Sequence, residues 1–154
     1  MTVTIDTNVL VYAADPNSGE RHEPAIALVQ RLMFTDSVLC LQVLAELFHV
    51  LTRKAKLDRE YSAVIVRRWQ RAFPVIAADG SALDEAIWAV EAHNLSFWDA
   101  MLWATAKAGG CRVLLSEDLQ NGRKLGGVNI VNPFDPENER LLDVILPEAD
   151  ESGY

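Results

Sequence analysis

The sequence predicts an α/β fold of three layers, in which a central parallel sheet of about four to five strands lies between helices. Three observations lead there. Short β-branched runs alternate along the chain with apolar segments of helical period. Two of those runs lead into an aspartate at the strand's end. Half of the 154 residues are apolar, enough to fill one core of this kind.

Taken in order, "VTI" before Asp6 is the first strand, and "NVLVYAAD" has helix-like apolar content that stops at the loop signal Asp15-Pro16-Asn17-Ser18-Gly19. A second helix spans Glu23 to Thr35, with Ala25, Ile26, Leu28, Val29, Leu32 and Met33 on or beside its inner face. "SVLCLQ" is the second strand. Gln42 to Lys56 is a strongly apolar helix whose basic end, Arg53, Lys54 and Lys56, suits the negative pole of its dipole. Asp58 caps a helix through Ala72, and "FPVIAAD" is the third strand. Ser81 caps "ALDEAIWAVEAH", and "SFWDAMLWATAKAGG" is a helix ended by Gly109-Gly110. "CRVLLSED" is a strand running into a turn, and "GVNIVNPF" is the last strand, stopped by Asn132-Pro133.

Residues 1–134 read as one domain and 135–154 as an acidic C-terminal extension, in which "ENERLLDVIL" forms a terminal helix. There is no basic leader before an apolar stretch, and no apolar run long enough to cross a bilayer, so a cytoplasmic protein without a membrane partner is expected. Cys40 and Cys111 are too few for a disulfide framework or a four-thiolate zinc site and read as core residues. A net charge of −8 argues at first against nucleic acid. Seven acids and one base between Asp135 and Tyr154 put −6 in the tail, however, and leave only −2 on the body. Neutralising four body acids with bound cations turns that remainder slightly positive.

Four acids stand in apolar surroundings: Asp6 after "VTI", Glu46 in "LAELF", Asp99 in "FWDAM" and Asp118 after "VLLSE". An ionised carboxylate buried without a partner costs several kcal/mol or more. In a parallel sheet, Asp6 and Asp118 share the carboxyl edge where ligand sites form, and Glu46 and Asp99 lie on helices that can face it. Each acid also has an ordinary reading: helix cap for Asp6, solvated helix residue for Glu46, dipole-favoured acid for Asp99, turn residue for Asp118. All four holding at once is far less probable than any one. Together they suit a hard divalent cation, Mg²⁺ or Mn²⁺, better than zinc.

"IDTNVLVY", "AELFHVL", "LSFWDAMLWATA", "LLSEDLQNG" and the closing "VNIVNPF" resemble a PIN-domain protein, most similar to VapC-type toxins of bacterial toxin–antitoxin pairs. The resemblance runs from about Thr2 to Phe134. It implies an endoribonuclease dependent on Mg²⁺, with Mn²⁺ as substitute, that uses metal-activated water and leaves a 5′-phosphate and a 3′-hydroxyl. Asp6 and Asp99 would be the innermost metal ligands, with Glu46 and Asp118 completing the catalytic cluster, and Thr7, Asn8 and Ser116 would orient these acids. It further implies an RNA substrate, a cognate antitoxin and a homodimer. Asn121 departs from the pattern, standing where many similar proteins carry a further acid.

Arg53, Lys54 and Lys56 are candidate RNA contacts, although such clusters are more often solvated faces. Trp69, Trp88, Trp98 and Trp103 read as core or dimer-interface side chains. "ELFH" offers one Glu-x-x-His step, but a di-iron bundle needs a second, and none is present. The rival from another class is a non-catalytic PIN-like module that binds protein or RNA.

Overall fold

β1 (Val3–Ile5) is buried along its whole length, as a β-branched strand between two helix layers should be. In the computed structural model, which describes residues 2–147, β4 (Val113–Leu115) lies parallel beside it with Val3 opposite Val113 and Ile5 opposite Leu115. β6 (Val128–Val131) pairs parallel with β4, and β5 (Lys124–Leu125) closes that edge antiparallel to β6, giving the order β1-β4-β6-β5. On the other side, Val3 N donates to Asp36 O (2.9 Å) and Val38 N to Val3 O (3.0 Å). These bonds lead into β2 (Leu39–Cys40), which pairs parallel with β3 (Val75–Ile76).

Helices cover the sheet. α1 (Thr7–Ala14) packs on α2 (His22–Met33) and α3 (Leu41–Arg53), α3 on α4 (Arg59–Ala72), and α5 (Gly80–His93) on α6 (Phe97–Ala108). Ile5, Leu10, Leu47, Leu51, Trp103, Leu114, Leu115 and Ile130 are fully buried where these layers meet. Beyond Phe134 the chain continues through a short turn into α7 (Glu139–Ile145), which sets Leu142, Ile145 and Leu146 into the core. Arg31 on α2 fastens its end, donating to Leu142 O (3.2 Å) and Leu146 O and pairing with Asp143 (3.1 Å).

The expected α/β class is therefore the one the chain adopts, with three local differences. Leu41, like Gln42, already belongs to α3, so β2 keeps only Leu39 and Cys40 of the expected strand. Asp79, not Ser81, caps α5, accepting from Ala82 N at 2.9 Å. The sheet also has an antiparallel edge: Gly126 (φ +55°) and Gly127 (φ +83°) turn β5 back into β6, a two-glycine hairpin signal that the expectation of purely parallel strands passed over.

That hairpin steadies the loop after β4, since Gly122 N donates to Ile130 O (2.9 Å) and Ile130 N to Arg123 O (2.8 Å). A Cβ on Gly126 would sit 3.0 Å from the Trp103 ring as well as in a left-handed backbone. Gly126→Ala is expected to cost about 1–2 kcal/mol from the backbone alone, read as a lowered urea midpoint with unchanged m-value.

Candidate functional site

The strand ladder delivers the first acid. Asp6 N donates to Leu115 O at 2.9 Å, so the pairing of β1 and β4 runs one residue past Ile5 and sets Asp6 beside Ser116 at the carboxyl edge. Asp6 is also the N-cap of α1: one carboxylate oxygen accepts from Thr7 N (2.7 Å) and the other from the Ser116 hydroxyl (2.7 Å). Only 7 % of Asp6 is exposed. The Ser116 oxygen in turn accepts from Asp118 N (3.2 Å) and Leu119 N (3.3 Å), which folds the turn after β4 around it.

From α1 the network reaches the other acids. The Thr7 hydroxyl donates to Glu46 on α3 (2.7 Å), and the Asn8 amide donates to Asp118. Gln42, one turn before Glu46, donates to the second Glu46 oxygen (2.9 Å) and to the Trp98 carbonyl (3.0 Å), the peptide that precedes Asp99. Asp99 lies in the first turn of α6, whose N-cap Ser96 accepts from the Asp99 N–H at 3.4 Å. The structure thus brings Asp6, Glu46 and Asp118 into one hydrogen-bonded network that also holds the backbone at Asp99.

Charge makes this cluster costly. Burial pushes the Asp6 carboxyl from the usual 3.8 up to about 6, against the hydrogen bonds from Ser116 and Thr7, and the charges of Asp118 and Asp99 push the same way. Asp118 is raised too, by desolvation first and then by Glu117 and Asp99, with the Asn8 bond opposing. No cation answers them: among the described residues the ion pairs are Arg21–Glu117, Arg31–Asp143 and Lys107–Glu85. Glu117, next to Asp118, is occupied elsewhere, taking the Tyr12 hydroxyl and Arg21 (3.1 Å), whose guanidinium lies 4.6 Å from the Phe134 ring centre.

All-oxygen donors with uncompensated negative charge fit a hard divalent cation in chemistry. In arrangement the site is open: among the described residues no three acidic, histidine or cysteine side chains are gathered as a metal-holding group. Glu46 and Asp118 are instead engaged by Thr7, Gln42 and Asn8.

Other expected residues fall outside the network. Arg53, Lys54 and Lys56 are exposed at and just after the end of α3. Trp69 and Trp103 are buried, whereas Trp88 and Trp98 are exposed. Gln42 and the Tyr12–Glu117–Arg21 group were not singled out from sequence. The signal for Gln42 was present as a Gln–Glu pair four residues apart on an otherwise apolar helix. Asn121 makes its hydrogen bonds outside the network, accepting from Asn132 N (2.9 Å) and Asn138 (3.0 Å) and donating to Asp135 (3.3 Å).

The family model of the PIN domain matches residues 3–124. No curated protein sequence matches. Among solved structures, the chain is similar to VapC20 of Mycobacterium tuberculosis, a sarcin-ricin loop cleaving toxin, at 20 % identity and TM-score 0.62, covering 75 % of this chain and 91 % of that one. It is similar also to a toxin–antitoxin complex from Klebsiella pneumoniae, at 20 % identity and TM-score 0.62 over 86 % of this chain and 98 % of the other. VapBC2 of Rickettsia felis, bound to a DNA fragment from its promoter, matches at 17 % identity and TM-score 0.62 with the same coverages. At these identities the likeness is one of fold.

Two predictions follow from the network. Because the folded Asp6 holds its proton up to about pH 6, above the ordinary 3.8, its contribution to stability is full below pH 4 and is lost as pH rises through 6. Without divalent ions, the wild type should therefore lose on the order of 2–3 kcal/mol relative to Asp6→Asn between pH 4 and pH 7 in denaturant titrations. Asn121→Asp sets a second carboxylate against Asp135 and removes a donor at an exposed position, so it should destabilise the protein by about 0.5–1 kcal/mol at pH 7, read as a lowered urea midpoint.

Proposed function

The chain belongs to the PIN-domain family, and on that premise we propose that it is a metal-dependent endoribonuclease, the toxin of a toxin–antitoxin pair. One observation carries the reading: Asp6 is nearly fully buried at the carboxyl edge of the sheet, beside the charges of Asp118 and Asp99, with no protein cation paired to it among the described residues. A folded chain keeps such a group when its cost is offset by a ligand of opposite charge.

Asp6 and Asp99, with Glu46 and Asp118, would hold that ion, Mg²⁺ or Mn²⁺. When bound, it would supply neutralisation of charge on a phosphodiester and a lowered pKa for water, so that hydroxide is available as the nucleophile near neutral pH. The chain's own residues do the rest. Ser116 and the Thr7 N–H keep Asp6 fixed at the strand end, Thr7 holds Glu46, and Asn8 holds Asp118 at the rim. Seven residues, two turns, separate Arg53 from Glu46 on one face of α3, so their Cα positions lie about 10 Å apart along the axis and the exposed Arg53 side chain is within reach of a phosphate neighbouring the acids.

Partners belong to the same reading. The toxin–antitoxin complexes similar in fold support a cognate antitoxin. Exposed Leu83, Ile87 and Trp88 on α5 and Phe97 and Trp98 on α6 support a homodimer.

Incubation with a panel of tRNAs and structured RNAs, with and without Mg²⁺, should yield cuts only with the ion, and Asp99→Asn should abolish them at matched Mg²⁺ without loss of fold. Wild-type rates in Asp99→Asn would reject the assignment. The open arrangement of the acids favours one alternative, a PIN-like module that only binds protein or RNA. Saturating Mn²⁺ separates the two: at 100 times Kd it adds about 2.7 kcal/mol, or roughly 5–10 °C in Tm for a chain of this length. A cation-independent Tm would favour the module.

A further inference from the structure

Gln42 makes a pair of bonds that neither helix needs for its own sake. It sits in the first turn of α3, half-buried, and its amide nitrogen donates to Glu46 (2.9 Å) and to the Trp98 carbonyl (3.0 Å). The orientation of the amide is forced: both partners are acceptors only, so the nitrogen must face them and the oxygen must turn away. Both of its N–H groups are spent there. One bond fixes a carboxylate on α3; the other grips the peptide that joins Trp98 to Asp99 at the start of α6.

Glu46 is held from two sides as a result. Thr7, next to Asp6, takes one oxygen and Gln42 takes the other, so the carboxylate has neither oxygen without a donor. Thr7 sets Glu46 relative to Asp6, while Gln42 sets it relative to Asp99. Separate, packed elements carry these acids, and the hydrogen bonds set the carboxylates on them relative to one another.

We infer that Gln42 is a positioning residue whose amide couples Glu46 to the Trp98–Asp99 peptide, so that these two acids are presented together to a divalent cation. This rests on the nuclease reading above. Residues that orient metal-binding carboxylates typically change affinity or activity by about 10–100-fold when removed, which sets the expected size of the effect.

The test is calorimetric titration of the full chain with Mn²⁺ alone, in wild type, Gln42→Met, Glu46→Gln and the double variant, with ion-free melting of each. Gln42→Met keeps the length of the side chain without its donors. It should weaken Mn²⁺ binding by about 10-fold, leave the ion-free Tm in place, and add no further loss on the Glu46→Gln background. Gln42→Ala should behave the same way and guards against a misfit of the methionine. In cleavage assays at saturating Mn²⁺ the loss should fall on kcat, with KM for RNA unchanged. Unchanged Mn²⁺ affinity in both variants, or an equal loss on the Glu46→Gln background, overturns the inference while the nuclease reading stands. A lowered ion-free Tm with native affinity also overturns it, because that is what a plain tie between α3 and α6 would give. Wild type that takes up no Mn²⁺ fails the nuclease reading itself and the inference with it.

Discussion

A carboxylate at the end of a fully buried strand is the constraint around which the rest is arranged. Asp6 cannot move to solvent without unpairing its own N–H from Leu115 or leaving its place at the head of α1. Two hydrogen bonds satisfy its oxygens, yet neither brings positive charge, and burial still outweighs them in setting its proton affinity. Capping a helix explains why an aspartate is favoured there. It does not explain why Asp118 and Asp99 stand close enough to make that aspartate harder to ionise.

Sheet topology explains the company. β1 and β4 run parallel and in register, so the residues that follow them emerge at one edge, Asp6 from the first and Ser116 to Asp118 from the second. Because Ser116 donates to Asp6 and accepts from the N–H groups of Asp118 and Leu119, a single hydroxyl both closes the turn and places the second acid. α1 then contributes two consecutive side chains to different partners: Thr7 to Glu46, Asn8 to Asp118. Three short polar residues, rather than any long-range ion pair, organise the edge.

Much of this was legible before the fold was known, and the exceptions have physical causes. Helices with clear apolar period, such as α4 behind its Asp58 cap, follow from pattern alone, because burial of one face dictates it. The β5–β6 hairpin is harder to see, since two residues such as Lys124 and Leu125 carry no period, and only the paired glycines mark the turn. The acids were readable because an isolated charge among apolar residues is costly wherever the chain goes. Gln42 was less so, since a Gln–Glu pair four residues apart on a helix shows one of its partners and the other, fifty-six residues away, is seen on the same nitrogen only in the fold. Asn121 shows the reverse case: the sequence marks it as a departure, and its bonds to Asn132, Asp135 and Asn138 reveal a side chain committed to joining the loop after β4 to the segment that leads into α7.

That commitment bears on the net charge as well. The acidic stretch after Phe134 begins as part of the folded body, for α7 is seated by Leu142, Ile145 and Leu146 and pinned by Arg31. The negative charge of Asp135, Glu137, Glu139 and Asp143 is therefore held with the body, and that of Asp143 is partly spent on Arg31; Glu148, Asp150 and Glu151 lie outside the described residues. The acids at the sheet edge, the bases at the end of α3 and the exposed Arg67, Arg68 and Arg71 of α4 are among the charges a polyanion would meet on the body. An acidic edge by itself repels phosphate, and the same edge with a divalent ion attracts it. On the nuclease reading proposed above, the ion would set the sign of the interaction with RNA, and cation uptake and substrate binding would be thermodynamically linked rather than independent events.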